Sequence, residues 1–370
     1  MLHAAIIYLI TASNIHGQVV RMNPEWEEAF WKISPLYRSD TLTICITGDL
    51  MMHSMQIGKA HQKDGTYGFS SYFRHIEDRI KSADIAIGNM EFTLGGTPYS
   101  GYPAFSAPDS YAEYLADTGF DVFLLANNHI FDKGASGARR TLELYNRLTD
   151  SHGILTTGLA SSDEDLDTGT PLMIRRKGIN LALINLTYGT NLGCGESWPK
   201  TNYMNDKELI SKAFSKAEDA DLTIVLPHWG TEYALEHSKS QRQTAEKLID
   251  QGADIIIGSH PHVVQDTECI KGVPVIYSLG NTVSNMSAAN TQVGLMVTLR
   301  IIRQANGDIT MKAPEYTFLW CSRPGGFADS YTVLPIKRFI GTRDIWKGAW
   351  EYDKMIKTYN HVKTITGIIE

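Results

Sequence analysis

Five stretches of this 370-residue chain end an apolar run on side chains that can hold a metal ion. They supply Asp49 in CITGDLMMH, Asn89 and Glu91 in IGNMEF, and Asn127, Asn128, His129 and Asp132 in LLANNHIFDKG. The other two supply His228 in VLPHWG, and His260 and His262 in IIIGSHPHV. Imidazole nitrogens with carboxylate and carboxamide oxygens form the donor set of a borderline divalent ion such as zinc, manganese or iron. Taken singly, each residue has a structural explanation. Asp49 after Gly48 suits a turn or a helix cap, Asn127 and Asn128 suit Asx-turns, and Asp132 before Lys133–Gly134 suits a turn. Glu91 fits an ordinary solvated loop, and a lone histidine at a strand end is more often structural than a ligand. His260-Pro-His262 is stronger, because a rigid proline separates two imidazoles on a short loop after a hydrophobic strand. His61, His75 and His152 lack this context. The argument for chemistry therefore rests on whether the five ends meet.

Strands and helices alternate through much of residues 41–260, which predicts α/β architecture with substantial parallel sheet. TLTICITGD, IAIGNMEF, DVFLLANNH, DLTIVLPHWG and ADIIIGSHPH read as strands with polar ends. FSSYFRHIEDRIKSAD, SYAEYLADTG, GARRTLELYNRLTDSHG, KELISKAFSKAEDA and SKSQRQTAEKLIDQG read as helices, three of them stopped by Gly119, Gly153 and Gly252. A hairpin is expected at Lys177–Gly178 and another at Asn306–Gly307, so antiparallel strands join a mixed sheet or two packed sheets. Residues 189–205 read as a Gly- and Asn-rich loop, and TRDIWKGAWEYDKMIKTY as a helix. In open α/β sheets ligands bind beyond the carboxyl ends of the strands, so parallel neighbours would bring all five polar ends to one crevice.

The formal net charge of −7, without long charge runs, argues against a nucleic-acid partner. Acidic and neutral substrates stay open, since a metal supplies local positive charge. The four cysteines form no C-x-x-C pair and suggest no disulfide framework; Cys45 reads as a small core residue. Residues 4–12, AAIIYLITA, have the length of a signal-peptide apolar region and are too short to span a bilayer. No Lys or Arg precedes them and no clear cleavage site follows, so a start-site artefact or a short strand is the competing reading. Three regions are expected: a lead-in over 1–40, a main domain over 41–300, and a strand-and-helix extension over 301–370 packed on that domain.

GDLMM, GNMEF, ANNHIFDKG, HWGTEY, GSHPHVVQ and YSLGN, in that order across roughly residues 42–285, resemble the motif series of the bacterial capsule synthesis (CapA-type, poly-γ-glutamate) family. Its domain is similar to the calcineurin-like metallophosphoesterases. The resemblance implies a four-layer α-β-β-α sandwich with the site on loops at the strand ends. It implies that Asp49 is the first metal carboxylate, Glu91 the bridging carboxylate where phosphoesterases commonly use aspartate, and Asn128 the amide ligand. It further implies that His228, His260 and His262 are the later ligands and that His129 is a general acid beside the leaving group; Asp132 is expected to hold the His129 imidazole in place. Asn89, Asn127 and Ser259 are expected to orient ligands, while Trp229 and Tyr233 either contact substrate or simply pack against their loop. One departure stands out. Met51 occupies the place of the usual histidine two residues after the first aspartate, and His53 is the candidate substitute as a ligand or ligand partner.

These readings imply one or two divalent ions (Mn, Zn or Fe) and a phosphoesterase-like hydrolase in capsule or poly-γ-glutamate biosynthesis at the cell envelope, with the cytoplasm left open. The expected partners are an anionic polymer or phosphoester substrate and membrane-bound capsule synthesis proteins. The competing readings are a non-catalytic polymer-binding component of a synthesis and export complex, and a metal-dependent amide or ester hydrolase.

Overall fold

A computed structural model describes residues 40–370; the apolar segment at residues 4–12 lies outside the described residues. The chain begins with β1 (Asp40–Leu50), α1 (Ser54–Ala60), α2 (Glu77–Ser82), β2 (Ile85–Met90), α3 (Asp109–Asp117), β3 (Val122–Leu124), α4 (Gly134–His152) and β4 (Leu155–Thr157). Next come β5 (Leu159–Ala160), α5 (Asp163–Gly169), β6 (Leu172–Arg176), β7 (Ile179–Thr187), β8 (Lys200–Thr201), α6 (Lys207–Ala217), β9 (Leu222–His228), α7 (Lys239–Ile249) and β10 (Ile255–Ile257). The remainder is β11 (Thr267–Ile270), β12 (Val273–Ile276), β13 (Asn281–Val283), β14 (Val293–Arg303), β15 (Ile309–Met311), β16 (Glu315–Ser322), β17 (Thr332–Pro335), α8 (Ile336–Phe339) and α9 (Ala349–Thr366).

Two mixed sheets form. The first runs β17-β16-β14-β1-β2-β3-β4, with β13 beside the end of β1 and β15 on β14. The second runs β11-β12-β10-β9-β7-β6. Strand alternation assigns the layers, because successive side chains point to opposite faces. Leu42, Ile44 and Ile46 of β1, Ile85 and Ile87 of β2, and Val122 and Leu124 of β3 meet Leu222, Ile224 and Leu226 of β9 and Ile255 and Ile257 of β10 in one core between the sheets. Cys45, Ala86, Met90 and Phe123 point the other way, into a core shared with α1–α4. On the far side, Ile184, Val225 and Ile256 pack against Ile210, Ala213 and Phe214 of α6 and Ala245 and Leu248 of α7. The layers are therefore helix, sheet, sheet, helix, as the resemblance implied.

Local expectations fare unevenly. The hairpin at Lys177–Gly178 joins β6 to β7, with both residues at positive φ (48° and 72°) as its turn requires. The helix expected over residues 69–84 is confined to α2. Phe73, Ile76 and Ile80 are all buried, but the Phe73 backbone N–H donates to the Tyr114 hydroxyl at 3.2 Å instead of joining a helical ladder. Aromatic packing of Phe69, Tyr72 and Phe73 on Tyr111 and Tyr114 outweighs helix propensity there. Near the C-terminus, α9 starts only after Gly348, with a single 3-10 turn at Arg343–Ile345 before it.

The polypeptide beyond β14 completes the inner core. Met355, Tyr359 and Val362 of α9 join Phe318 and Trp320 of β16, and the Tyr359 and Phe318 rings meet at 5.3 Å. A buried carboxylate fixes this helix. Glu351 accepts from the Ser322 hydroxyl (2.5 Å), the Arg323 backbone N–H (3.0 Å) and Gln292 Nε2 (3.1 Å). Removing it strands three buried donors. Glu351→Ala is expected to lower unfolding stability by about 3 kcal/mol in urea titrations, and Glu351→Gln by less, because it keeps an acceptor.

Candidate metal centre

The inward faces of the strands extend past the end of the core into a polar cluster. On β2, Ile85 and Ile87 face the other sheet, and two more steps of the same alternation bring Asn89 and then Glu91 to that side. On β9 the series Leu222, Ile224, Leu226 leads by the same rule to His228. β1 needs a correction to reach the same side. Its inward residues are even-numbered up to Ile46, and Leu50 lies in the outer core. A register shift between Thr47 and Asp49 in the β1–β2 pairing inserts Gly48 as an extra residue and reverses the alternation. Asp49 thereby turns inward. Only glycine fits at 48, since a Cβ there would stand 1.9 Å from Gly280 O. That contact lets the Asp49 N–H donate to Gly280 O at 2.9 Å and draws β13 alongside.

The five polar ends do converge. Asp49, Glu91 and His228 form one group of candidate metal donors and Glu91, His260 and His262 another; in each, the donor atoms lie within 4.8 Å of one another. Glu91 belongs to both. Glu91 Oε1 is 3.5 Å from His228 Nε2 and 3.7 Å from His262 Nε2, and Asn128 Oδ1 lies 2.8 Å from His228 Nε2. Outer partners set the rings. His262 Nδ1 faces Asn281 Oδ1 (3.0 Å) and Asp49 Oδ2 (3.3 Å), and His228 Nδ1 faces Ser259 Oγ and Asn89 Nδ2, both at 3.3 Å. Asn89 Nδ2 also donates to Asp49 Oδ1 at 2.7 Å. Both Glu91 oxygens and His260 Nδ1 are buried without a hydrogen-bond partner. Uncompensated polar atoms of this kind are costly, and these converge with the chemistry that a divalent cation selects. The residues present therefore fit a divalent metal.

Electrostatics and backbone agree. Burial would push the Asp49 carboxyl up, but the hydrogen bond and charge of His262 and the charge of His228 hold it below its ordinary value. Burial lowers His262, yet Glu91 and Asp49 raise it to about 9. His260 is driven well below its usual range by burial and then by the charges of His228, His262 and His129. His260 (φ 101°) and His262 (φ 59°) occupy backbone regions that non-glycine residues rarely adopt, at a cost on the order of 1–3 kcal/mol each. Their loop is held by hydrogen bonds from Trp229 N to Ser259 O (3.0 Å) and Tyr233 N to Pro261 O (2.8 Å).

Beside the donors stands a second unit. His129 Nδ1 lies 2.7 Å from Asp132 Oδ2, which also accepts the Phe105 N–H at 2.7 Å. The Phe105 ring packs edge-on against His129 at 4.7 Å. Asn127 lies beneath, donating to Met90 O at 2.8 Å and accepting the His129 N–H at 3.0 Å.

Three expectations need correction or completion. Trp229 is 2% exposed and faces the core that the second sheet shares with α6 and α7, where its Nε1–H donates to Tyr277 O at 2.9 Å. It follows His228 by one residue and so takes the opposite face; it does not reach the crevice. Tyr233 does stand at the mouth, 42% exposed, with its ring 6.3 Å from that of His262. His53 is in neither donor group: its Nδ1 lies 3.1 Å from Gln56 Oε1 and 3.3 Å from Asn285 N. Met51 is buried in the outer core. Sequence reasoning also missed residues at the site. Tyr188, just past β7, lays its ring 4.6 Å from that of His260, and Asn191 Nδ2 reaches 3.4 Å from His129 Nε2. Asn281, the partner of His262, ends the quoted YSLGN motif, so its signal was present.

All the candidate donors fall inside one family match. The family model described as "Bacterial capsule synthesis protein PGA_cap" matches residues 43–286. The chain belongs to this bacterial capsule synthesis family. It is 29% identical over 296 residues to the capsule biosynthesis protein CapA of Bacillus anthracis, covering 75% of this chain and 69% of that protein. To the PGA biosynthesis protein CapA of Bacillus subtilis (strain 168) it is 28% identical over 282 residues, covering 73% and 70%. Among solved structures, the NAD nucleotidase of Haemophilus influenzae aligns at 15% identity and a TM-score of 0.44, over 88% of this chain and 68% of that one.

Two outcomes are expected from this geometry. Adding Mn²⁺ or Zn²⁺ at about 100 times Kd should stabilise the protein by about 2.7 kcal/mol, and Glu91→Ala should abolish the shift because it removes a donor from both groups. In Gly48→Ala, metal bound per chain, measured after equilibrium dialysis, should fall as Asp49 is displaced.

Proposed function

We propose that this protein is a metal-dependent hydrolase of phosphoesterase type that works in capsule or poly-γ-glutamate polymer biosynthesis at the cell envelope, with membrane-bound capsule synthesis proteins as partners. The observation that carries the reading is Glu91, a buried carboxylate shared by two donor groups, next to a histidine–aspartate pair. Asp49, Glu91, Asn128, His228, His260 and His262 are the residues that would hold one or two ions of Mn, Zn or Fe. Such ions polarise a substrate oxygen and acidify a bound water.

The chain's own groups account for the rest. Asp132 accepts from His129 Nδ1 and so leaves Nε2 as the atom that hands a proton to the leaving group. The edge of Phe105 fixes the ring plane. Asn191, within reach of that same Nε2, marks where a leaving-group oxygen would arrive. Tyr188 and Tyr233, each about half exposed beside the ligand histidines, form the rim that a substrate crosses.

Met51 supports a second reading. Its side chain lies in the outer core, so one metal position has a donor fewer than the phosphoesterase pattern, which favours a component that holds an anionic polymer without cutting it. The same activated water also suits an amide or ester. The test is turnover of an aryl phosphate by metal-reconstituted protein, beside aryl ester and amide substrates. Under the first reading His129→Ala lowers phosphate turnover by about 10²–10⁴-fold while metal content stays unchanged. Polymer binding without turnover of any substrate would establish the second.

A further inference from the structure

The side chain of one cation at the crevice edge, Arg323, has no partner among the described residues, and it lies outside the residues that the family model matches. β14 is antiparallel to β1, and β16 is antiparallel to β14, so β16 runs in the direction of β1. Met296 pairs with Thr47 on one side and Thr317 on the other, which sets the residues after Thr317 level with those that follow Thr47. Ser322 and Arg323 therefore leave the first sheet at the edge where Asp49 and Glu91 leave it, with β13 and β14 between. A row of buried and half-buried groups joins the two places. The Asn285 N–H lies 3.3 Å from His53 Nδ1, and the Tyr331 hydroxyl donates to Asn285 Oδ1 at 2.6 Å. The Arg323 charge reaches both ends of that row. It adds to the effect of burial in lowering His53 to about 4, and it partly offsets the rise that burial imposes on Tyr331.

Arg139, Arg140, Arg242, Arg300 and Arg343 each hold a carboxylate. The Arg323 guanidinium has no hydrogen-bond or ion-pair partner among the described residues, and its Nε is buried. Lys354 stands close by with its ammonium on Gln292 Oε1, and burial together with the Arg323 charge lowers its pKa. A neighbouring carboxylate, Glu351, is occupied by Ser322, Gln292 and the Arg323 backbone; it offsets one of the two positive charges and leaves the other. A partly desolvated guanidinium without a carboxylate presents a planar fork of donors suited to two anionic oxygens.

We propose that Arg323, backed by Lys354, is an anion subsite that grips a carboxylate or phosphate of the substrate some way along from the group held at the metal centre. The inference rests on the reading that this crevice takes an anionic substrate, but it does not require that the substrate be cut. It makes the residues after β14 a determinant of which polymers are accepted.

The experiment is equilibrium binding of the full, metal-loaded chain to a γ-linked glutamate oligomer and, separately, to inorganic triphosphate. The variants are Arg323→Gln, Arg323→Lys, Lys354→Gln and, as a surface-charge control, Arg343→Gln, with thermal melts to confirm folding. Arg323→Gln is expected to weaken binding about tenfold or more, Lys354→Gln to weaken it less, and Arg323→Lys to restore part of the loss. Arg343→Gln should leave binding unchanged. A loss for the oligomer alone assigns a carboxylate ligand, and a loss for triphosphate alone assigns a phosphate. Wild-type affinity in folded Arg323→Gln, an equal loss in Arg343→Gln, or no binding of either probe to the wild type would overturn the proposal. Arg323-dependent binding in a protein that turns over no substrate would retain the subsite and remove the hydrolase reading.

Discussion

The structure is organised around a carboxylate that its own fold leaves unsatisfied. Glu91 is fully buried, and neither oxygen has a hydrogen bond. Two histidines stand at ion-pair range of it, but a buried carboxylate whose oxygens accept no hydrogen bond remains costly, and a protein normally answers it with further pairing groups or a cation. Here the answer is built from both sheets. β2 delivers the carboxylate, the turn after β3 delivers Asn128, and β9 and the loop after β10 deliver three imidazoles from across the core. The sandwich exists as a packed apolar object up to the last turn of each strand and becomes a donor set immediately beyond.

Much of this was legible in the sequence because it follows from strand alternation. The runs ending in Asn89, Glu91 and His228 each extend an inward-facing apolar series by one or two steps, so the candidate ligands were visible as the ends of those series. The same rule, applied more strictly, would have excluded Trp229, whose place next to His228 commits it to the opposite face. What could not be read was anything that breaks the alternation. The inserted Gly48 reverses the facing of β1, and only contact with Gly280, more than two hundred residues away, fixes that it does so. The left-handed conformations of His260 and His262 are likewise set by hydrogen bonds from the neighbouring loop. Tyr188 and Asn191 belong to a loop with no periodicity, and their place at the site depends on backbone contacts with His228 and Asn128.

The helix expectation over residues 69–84 failed for a related reason. Its apolar spacing was right and its residues are buried, but side chains from α3 compete for the backbone donors. Periodicity reports which residues are inside; it does not report which hydrogen bonds put them there. At the other end of the chain, α9 and the strands after β14 do not merely decorate the family core. They fill the inner face of the first sheet and are tied to it by Glu351.

The extra residue at Gly48 has a consequence for how the chain can change. It divides β1 into two segments with independent facing. Before it, core side chains face inward at even positions, and the facing of Asp49, a candidate metal donor, is set afresh after the bulge. Past it there is no slack. Straightening the bulge, with Gly48 kept as an ordinary strand residue, would restore plain alternation and move Asp49 to the helix side, turning a candidate ligand into a buried charge among aromatic rings. A single residue inserted after Gly48 would flip Asp49 in the same way while leaving the preceding strand and its neighbours in place.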